Sequence, residues 1–327
     1  MNKYKWLILG GILMLFYNGR YVIPIASWLG PMFIVKYYRT DKSKKAIVLA
    51  YIVMMLSSFV SFKGVTHIEG PIEYVVLAGM AFIFFLPFLL DKLIGMRYKG
   101  FISTLALPLA GVTVEYLFSI VSPYATWGSL SYSQFGNLPL MQLLSVTGIW
   151  GISFIMYWFY SSVNWIWENA FCIEEIRKGT AVFVSILIFI LLAGGLRVAM
   201  FKASSTVKVA SISVPHYQFW KDIDPITDGS GDTQANIAKL KKELSGHQEE
   251  LLDLTEREAR DGARIIFWHE GDGLVFKDDE ARFIEQVSEI AKKYNSYVMM
   301  SLAAFKPGIN SIENKTVMID NDGKMKF

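Results

Sequence analysis

The chain has 327 residues, is 53% hydrophobic and carries a net charge of only +3. With a mean hydropathy of +0.35, that composition excludes an ordinary soluble globular protein and points to membrane spans. The small positive charge sits mainly in short loops between apolar runs, which excludes a nucleic-acid-binding surface as its cause.

Apolar runs dominate residues 1–202, whereas residues 203–327 have the charge density of a water-exposed domain. Seven spans are expected: Trp6–Tyr17, Tyr21–Val35, Ala46–Phe62, Ile72–Leu90, Phe101–Val121, Leu143–Ile166 and Thr180–Leu196. The first two are short for a bilayer that takes about 20 apolar residues per helix. The first run leads into further runs and not into a small-residue cleavage site, so no cleavable signal peptide is expected. Cys172 is the single cysteine, so an intrachain disulfide framework is excluded.

Basic residues alternate between loops. Lys3 and Lys5 precede the first run, Lys36, Arg39, Lys42, Lys44 and Lys45 follow the second, Lys92, Arg97 and Lys99 follow the fourth, and Arg177 and Lys178 follow the sixth. The intervening loops hold Arg20, then Lys63, then no basic residue between Ser122 and Met141. The positive-inside rule puts the amino terminus and the rich loops in the cytoplasm, and an odd number of spans puts everything after Leu196 on the outer side.

Two features of this half exceed the needs of an anchor. Glu115 lies inside the fifth run, where an unpaired carboxyl would cost several kcal/mol; it is either bonded to a neighbouring helix or part of a functional site. The charge-free, aromatic stretch 123–136 lies on the expected outer side. Its Trp127 and Tyr132 suit the membrane interface, as an ordinary interfacial loop or as a lipid-facing lip beside an active site.

In the second half, Val207–Val214 alternates and is β-branched, predicting a strand that Pro215 ends. A loop is expected through Asp232. Ile237, Leu240, Leu244, Leu251 and Leu254 then predict an amphipathic helix over 233–260, with a break near Gly246. A buried strand, Ile265–Trp268, leads to His269, Glu270, Gly271 and Gly273. A lone acid after a strand is often only the first solvated residue, but the carboxyl end of a buried strand is also where α/β folds place chemistry. A second amphipathic helix is expected over Asp278–Tyr294, then a strand Tyr297–Phe305, then a short strand Val317–Ile319 leading into the hairpin signal Asn321-Asp322-Gly323. Alternating strands and helices predict an α/β layered domain. The chain stops at Phe327 as the return strand begins, so a fragment or a shortened reading frame is expected.

Together these parts resemble the apolipoprotein N-acyltransferases, bacterial inner-membrane enzymes of the nitrilase (carbon–nitrogen hydrolase) superfamily. The resemblance is carried by Trp127-Gly-Ser-Leu-Ser-Tyr-Ser-Gln134, Leu140-Met-Gln142, Thr147–Phe154 and Asn164, with Glu115 in the fifth span. In the second half it is carried by the first strand, the long helix, Gly262-Ala263, the strand to Trp268, and Asn314 ahead of Gly323. It implies an αββα sandwich after the membrane domain, with a Glu–Lys–Cys triad in which Glu270 matches the general base. It further implies a phospholipid acyl donor, a thioester intermediate and a lipoprotein amino terminus as acceptor, at the outer side of the inner membrane, with no cofactor. Trp127, Tyr132, Gln134 and Glu115 are the substrate-side candidates.

The sequence departs from that pattern at three places. His269 stands where the family has Pro, and Gly271-Asp272-Gly273 follows the glutamate where Thr or Asn is usual. The positions of the family's lysine and cysteine fall past Phe327: Lys324 and Lys326 come too early, and Cys172 is expected on the cytoplasmic side. The fragment is therefore expected to be inactive. A membrane-tethered amidohydrolase and a non-catalytic, lipid- or partner-binding remnant are the competing readings. His67, His216, His247 and His269 lie in unrelated stretches, so no metal site is expected.

Overall fold

A computed structural model describes residues 3–41, 43–65, 70–93, 97–201, 205–231 and 233–326. Lys42 and His67 fall outside the described residues. The chain divides into two compact units, residues 1–202 and 203–327.

The first unit is helical: α1 (Tyr4–Met14), α2 (Pro24–Thr40), α3 (Lys44–Phe62), α4 (Pro71–Leu93), α5 (Ala106–Val121), the short α6 (Leu138–Met141) and α7 (Leu144–Thr147), α8 (Ile149–Glu168) and α9 (Ile173–Met200). Among the described residues four helical segments are long and apolar enough to cross a membrane: Lys44–Phe62, Pro71–Leu93, Phe101–Val121 and Ile173–Met200. A fifth arises if Leu138–Thr147 and Ile149–Glu168, bent by 119°, form one broken span. α1 is apolar but has only 11 residues, too few for a full crossing. All seven expected runs are helical, although fewer than seven meet the length and composition of a complete span.

The core of this unit gathers α2, α3, α4 and α8 around Tyr37, Tyr38, Tyr160 and Met156. One buried ion pair joins α2 to α4: Arg39 donates through Nη2 to Asp91 Oδ1 at 2.7 Å and through Nε to Oδ2 at 3.0 Å, and Tyr38 donates to the same carboxylate at 2.6 Å. The fork geometry satisfies both charges where water cannot.

The second unit is a five-stranded sheet with helices. Its strands are β1 (Val209–Ile212), β2 (Ile265–Trp268), β3 (Gly273–Phe276), β4 (Tyr297–Phe305) and β5 (Ile312–Ile319); its helices are α10 (Trp220–Thr227), α11 (Gln234–Arg260) and α12 (Glu280–Tyr294). β1, β2 and β4 pair in parallel in that order, β3 also pairs β4 in parallel, and β5 pairs β4 antiparallel. Because β5 takes one edge of β4 over Val298–Phe305, β2 and β3 share the other edge, end to end.

The core follows the pleat. Val298, Met300, Leu302 and Ala304 of β4 are buried with Leu251 and Ala259 of α11 and Phe283, Val287 and Ala291 of α12. Ala303 and Phe305 point the other way and are covered by Ile223 and Ile226 of α10 and Leu240 and Leu244 of α11. On that second face Ile265, Phe267, Tyr297 and Met299 stay half-buried.

Several expectations change. α11 runs unbroken through Gly246. The stretch expected as a loop before it contains α10, an eight-residue helix with Pro225 inside. The strand expected at Val317–Ile319 starts at Ile312, because pairing with β4 extends it. The hairpin is present: Gly323 N donates to Asp320 O at 2.9 Å, and Met325 bridges back to Ile319. The largest change is β3, a strand where the sequence predicts no element.

Candidate functional site

Glu270 does not end the sheet edge; it interrupts it. From Phe267 to Gly273 one strand path advances six residues while β4 advances three, from Met299 to Leu302. The surplus of three is taken up where 269–272 loops out of the edge, and the chain then re-enters as β3. Two glycines make this possible. Gly271 has φ +77°, a left-handed conformation in which a side chain is strained. At Gly273 a Cβ would lie 2.8 Å from Ser301 O and 2.5 Å from Leu302 Cδ2, so only glycine lets β3 rejoin β4 so closely.

The Glu270 side chain is exposed. Asn314 Nδ2, on β5, donates to Glu270 Oε1 at 2.8 Å. Asn314 is the register partner of Ala303 in β4. The turn therefore leans over the small residues of β4 to reach the neighbouring strand, and among the described residues the second carboxylate oxygen has no hydrogen-bond partner. Such a group can accept a proton from a thiol, an amine or a water.

Below the turn lies a polar cluster that the sequence reading did not assemble. Asp272 is fully buried. Its Oδ1 is 2.8 Å from His216 Nδ1 and its Oδ2 accepts from Val214 N at 3.3 Å. His247 Nε2, on α11, donates to Asp272 O at 2.7 Å. The rings of His216 and His269 are 6.3 Å apart. Three of the four histidines thus meet at one turn, correcting the expectation that they lie in unrelated settings. One signal was available: His247 continues the series Leu240, Leu244, Leu251 at helical spacing and so falls on the buried face of α11. Nothing local links His216 to Asp272. Among the described residues no group of three His, Cys, Asp or Glu is arranged to hold a metal ion.

In the membrane unit the substrate-side candidates divide. Glu115 is buried and accepts from Ser129 Oγ at 2.7 Å and Ser153 Oγ at 2.8 Å. It ties α5 to α8 and to the loop before α6, and it lines a cavity of about 20 Å3 with Tyr17, Leu130, Tyr157 and Tyr160, which has room for one water molecule. Gln134 is also buried; its Oε1 accepts from Trp28 Nε1 at 2.9 Å, and its Nε2 donates to Pro24 O at 3.2 Å. Trp127 is half-buried against Phe62, with ring centroids 5.5 Å apart. Tyr132 is exposed and its hydroxyl meets Thr126 Oγ1 at 2.7 Å. Glu115 and Gln134 therefore hold the 122–137 loop from beneath, and Tyr132 is on its open surface. Cys172 is exposed, in the turn between α8 and α9.

This loop, carried on an apolar helical scaffold, lies within the region that matches a known family. Residues 10–162 match the apolipoprotein N-acyltransferase N-terminal domain. The chain is also similar to the apolipoprotein N-acyltransferase of Geobacter metallireducens, with 24% identity over 217 residues. That alignment takes in 64% of this chain and 37% of the relative, so the chain spans well under half of the relative's length. The motif stretch 127–154 falls within the matched domain.

Proposed function

We propose that this chain is the amino-terminal part of a membrane-bound acyltransferase that moves an acyl chain from a phospholipid to the amino-terminal cysteine of a lipoprotein, with Glu270 as general base. The observation that carries the reading is the Glu270 turn. It is a single carboxylate looped out of a parallel sheet, held by Asn314 at 2.8 Å on one oxygen and open at the other, in a chain whose other unit matches an N-acyltransferase domain.

In this reading the second unit belongs to an αββα sandwich. The half-buried row Ile265, Phe267, Tyr297 and Met299 is the face on which a second sheet would stack. In this reading Glu270 lies on the outer side of the inner membrane, which the alternation of basic loops supports.

The chemistry follows from the needs of a thiol. A cysteine with an ordinary pKa near 8.5 is mostly protonated at neutral pH, so it attacks an ester carbonyl only if a neighbouring base takes its proton. Glu270 takes that proton, and the thiolate adds to the phospholipid acyl carbon. The lyso-lipid alcohol leaves with the proton returned by Glu270. The lipoprotein amine then attacks the thioester, gives a proton to Glu270, and the thiol leaves protonated. A lysine at the developing oxyanion completes the triad. The membrane unit favours a lipid substrate over the soluble amide of an amidohydrolase, since a water-soluble substrate requires only an anchor.

The test is lipoprotein N-acylation by the intact gene product in membranes, with and without Glu270→Gln. Loss of acylation in a variant expressed at the normal level is expected. Full acylation in that variant would refute the role of Glu270, and a free fatty acid product would favour the hydrolase.

A further inference from the structure

We propose that His216 and Asp272 form a positioning pair that fixes the direction of the Glu270 carboxylate, with His247 as its second anchor. The inference rests on the reading of Glu270 as a base only for its purpose; the geometry is independent of it. The looped-out turn is pinned at both ends to the end of β1. His269 N donates to Ile212 O at 3.0 Å, and Asp272 Oδ2 accepts from Val214 N at 3.3 Å. Asp272 N also donates back to His269 O at 3.1 Å, closing the turn. Only Glu270 and Gly271 lie between these anchors.

The imidazole tautomer follows from its neighbours. His216 Nδ1 bonds to Val214 O at 3.3 Å, so Nδ1 carries a hydrogen, and it also lies 2.8 Å from Asp272 Oδ1, which among the described residues takes no directed hydrogen bond. His247 Nε2 faces the carbonyl of Asp272 and also carries one. Asp272 and both histidines are nearly or fully buried, and a buried carboxyl that lost the close His216 ring and the Val214 N–H would move toward water and take the turn with it. Gly271 gives the turn its left-handed backbone, at φ +77°. The buried pair beneath it supplies the rigidity that a catalytic carboxylate requires.

Hydrogen exchange by mass spectrometry on the full chain in detergent tests this, reading peptides that contain residues 269–276. His216→Leu removes the polar ring beside Asp272 and keeps an apolar side chain; exchange in the turn should rise about tenfold or more, as leaving a buried polar group without its polar neighbour predicts, while β4 and α12 keep their rates. His216→Asn places an amide N–H near the position of Nδ1 and should return exchange to within about threefold of the parent. Equal exchange in the Leu variant and the parent, or equal rises in the Leu and Asn variants, would overturn the proposal. Should His216→Leu loosen the whole sheet, Asp272→Asn decides: it keeps an acceptor for Val214 N and removes the charge, so faster exchange confined to the turn is expected and unchanged exchange overturns the pair. Retained acylation in Glu270→Gln would sink the base reading and leave this exchange pattern standing, so the two failures are distinct.

Discussion

Asn314 and Glu270, 44 positions apart in the chain, are joined by one hydrogen bond of 2.8 Å across the strand that separates them. Asn314 is exposed and so is Glu270, so the bond orients the carboxylate more than it stabilises the fold. Asn314→Ala should leave folding unchanged and lower the acylation rate of the intact gene product by about fivefold, the value of one solvent-exposed, charge-assisted hydrogen bond. Single-turnover kinetics with a phospholipid donor measure it. A rate equal to that of the parent would show that Asn314 does not aim the base.

The two glycines of the turn should respond differently. Gly271→Ala forces a Cβ into the left-handed region and should destabilise the second unit by about 1–2 kcal/mol. Gly273→Ala brings a Cβ against the Ser301 carbonyl at 2.8 Å, backbone that cannot rotate away, and should cost about 2–3 kcal/mol and detach β3 from β4. Exchange rates of the β3 and β4 amides give both values. The reverse order would show that the turn conformation is a tighter constraint than the strand contact.

Most of the layered second half is legible in the sequence because its elements are long and patterned. The strand at Tyr297–Phe305 and the helix ending at Tyr294 match their expected bounds, as nine contiguous strand residues and a two-sided helix allow little else. β3 is illegible for a physical reason. Gly273-Leu-Val-Phe276 is four residues long, begins with a glycine and closely follows another, and only the free edge of β4 makes it a strand. α10 is hidden by Pro225 and by polar turn residues around it. Glu270 itself is found by its place after a buried strand. The His216–Asp272–His247 cluster spans three separate elements and exists only once the sheet has formed.

In the membrane unit, Glu115 is bonded as a structural acid. Glu115→Leu leaves the Ser129 and Ser153 hydroxyls without their common acceptor, and should lower stability in detergent by about 2 kcal/mol. Glu115→Gln keeps an acceptor oxygen and should stay within about 1 kcal/mol of the parent. Thermal unfolding of the full chain in detergent compares them. If both variants unfold like the parent, the carboxyl does not hold α5 to α8.

The second unit should lose stability in acid through a cluster at the start of α12. Lys277 and then Lys315 hydrogen-bond Glu313 and pull its carboxyl from 4.5 down to about 2. Lys277 is correspondingly raised, first by Glu313. A depressed carboxyl means that the folded chain holds this proton less tightly than the unfolded chain does. The contribution is therefore fully present above about 4.5 and is lost as pH falls through about 2. Glu313 is on the surface, so salt should reduce the effect. Exchange at the β4 and β5 amides, corrected for intrinsic rates, should rise across that window in the parent and less in Lys277→Met. Identical acid profiles for the two would exclude the cluster as the cause.

The central claim is that Glu270 takes the proton of an attacking thiol. Mass spectrometry of the intact gene product after incubation with phospholipid alone, without lipoprotein, measures it most directly. The parent should carry one acyl group as a hydroxylamine-labile thioester, and Glu270→Gln should carry none; acyl-enzyme formed at the parent's rate in Glu270→Gln would contradict it.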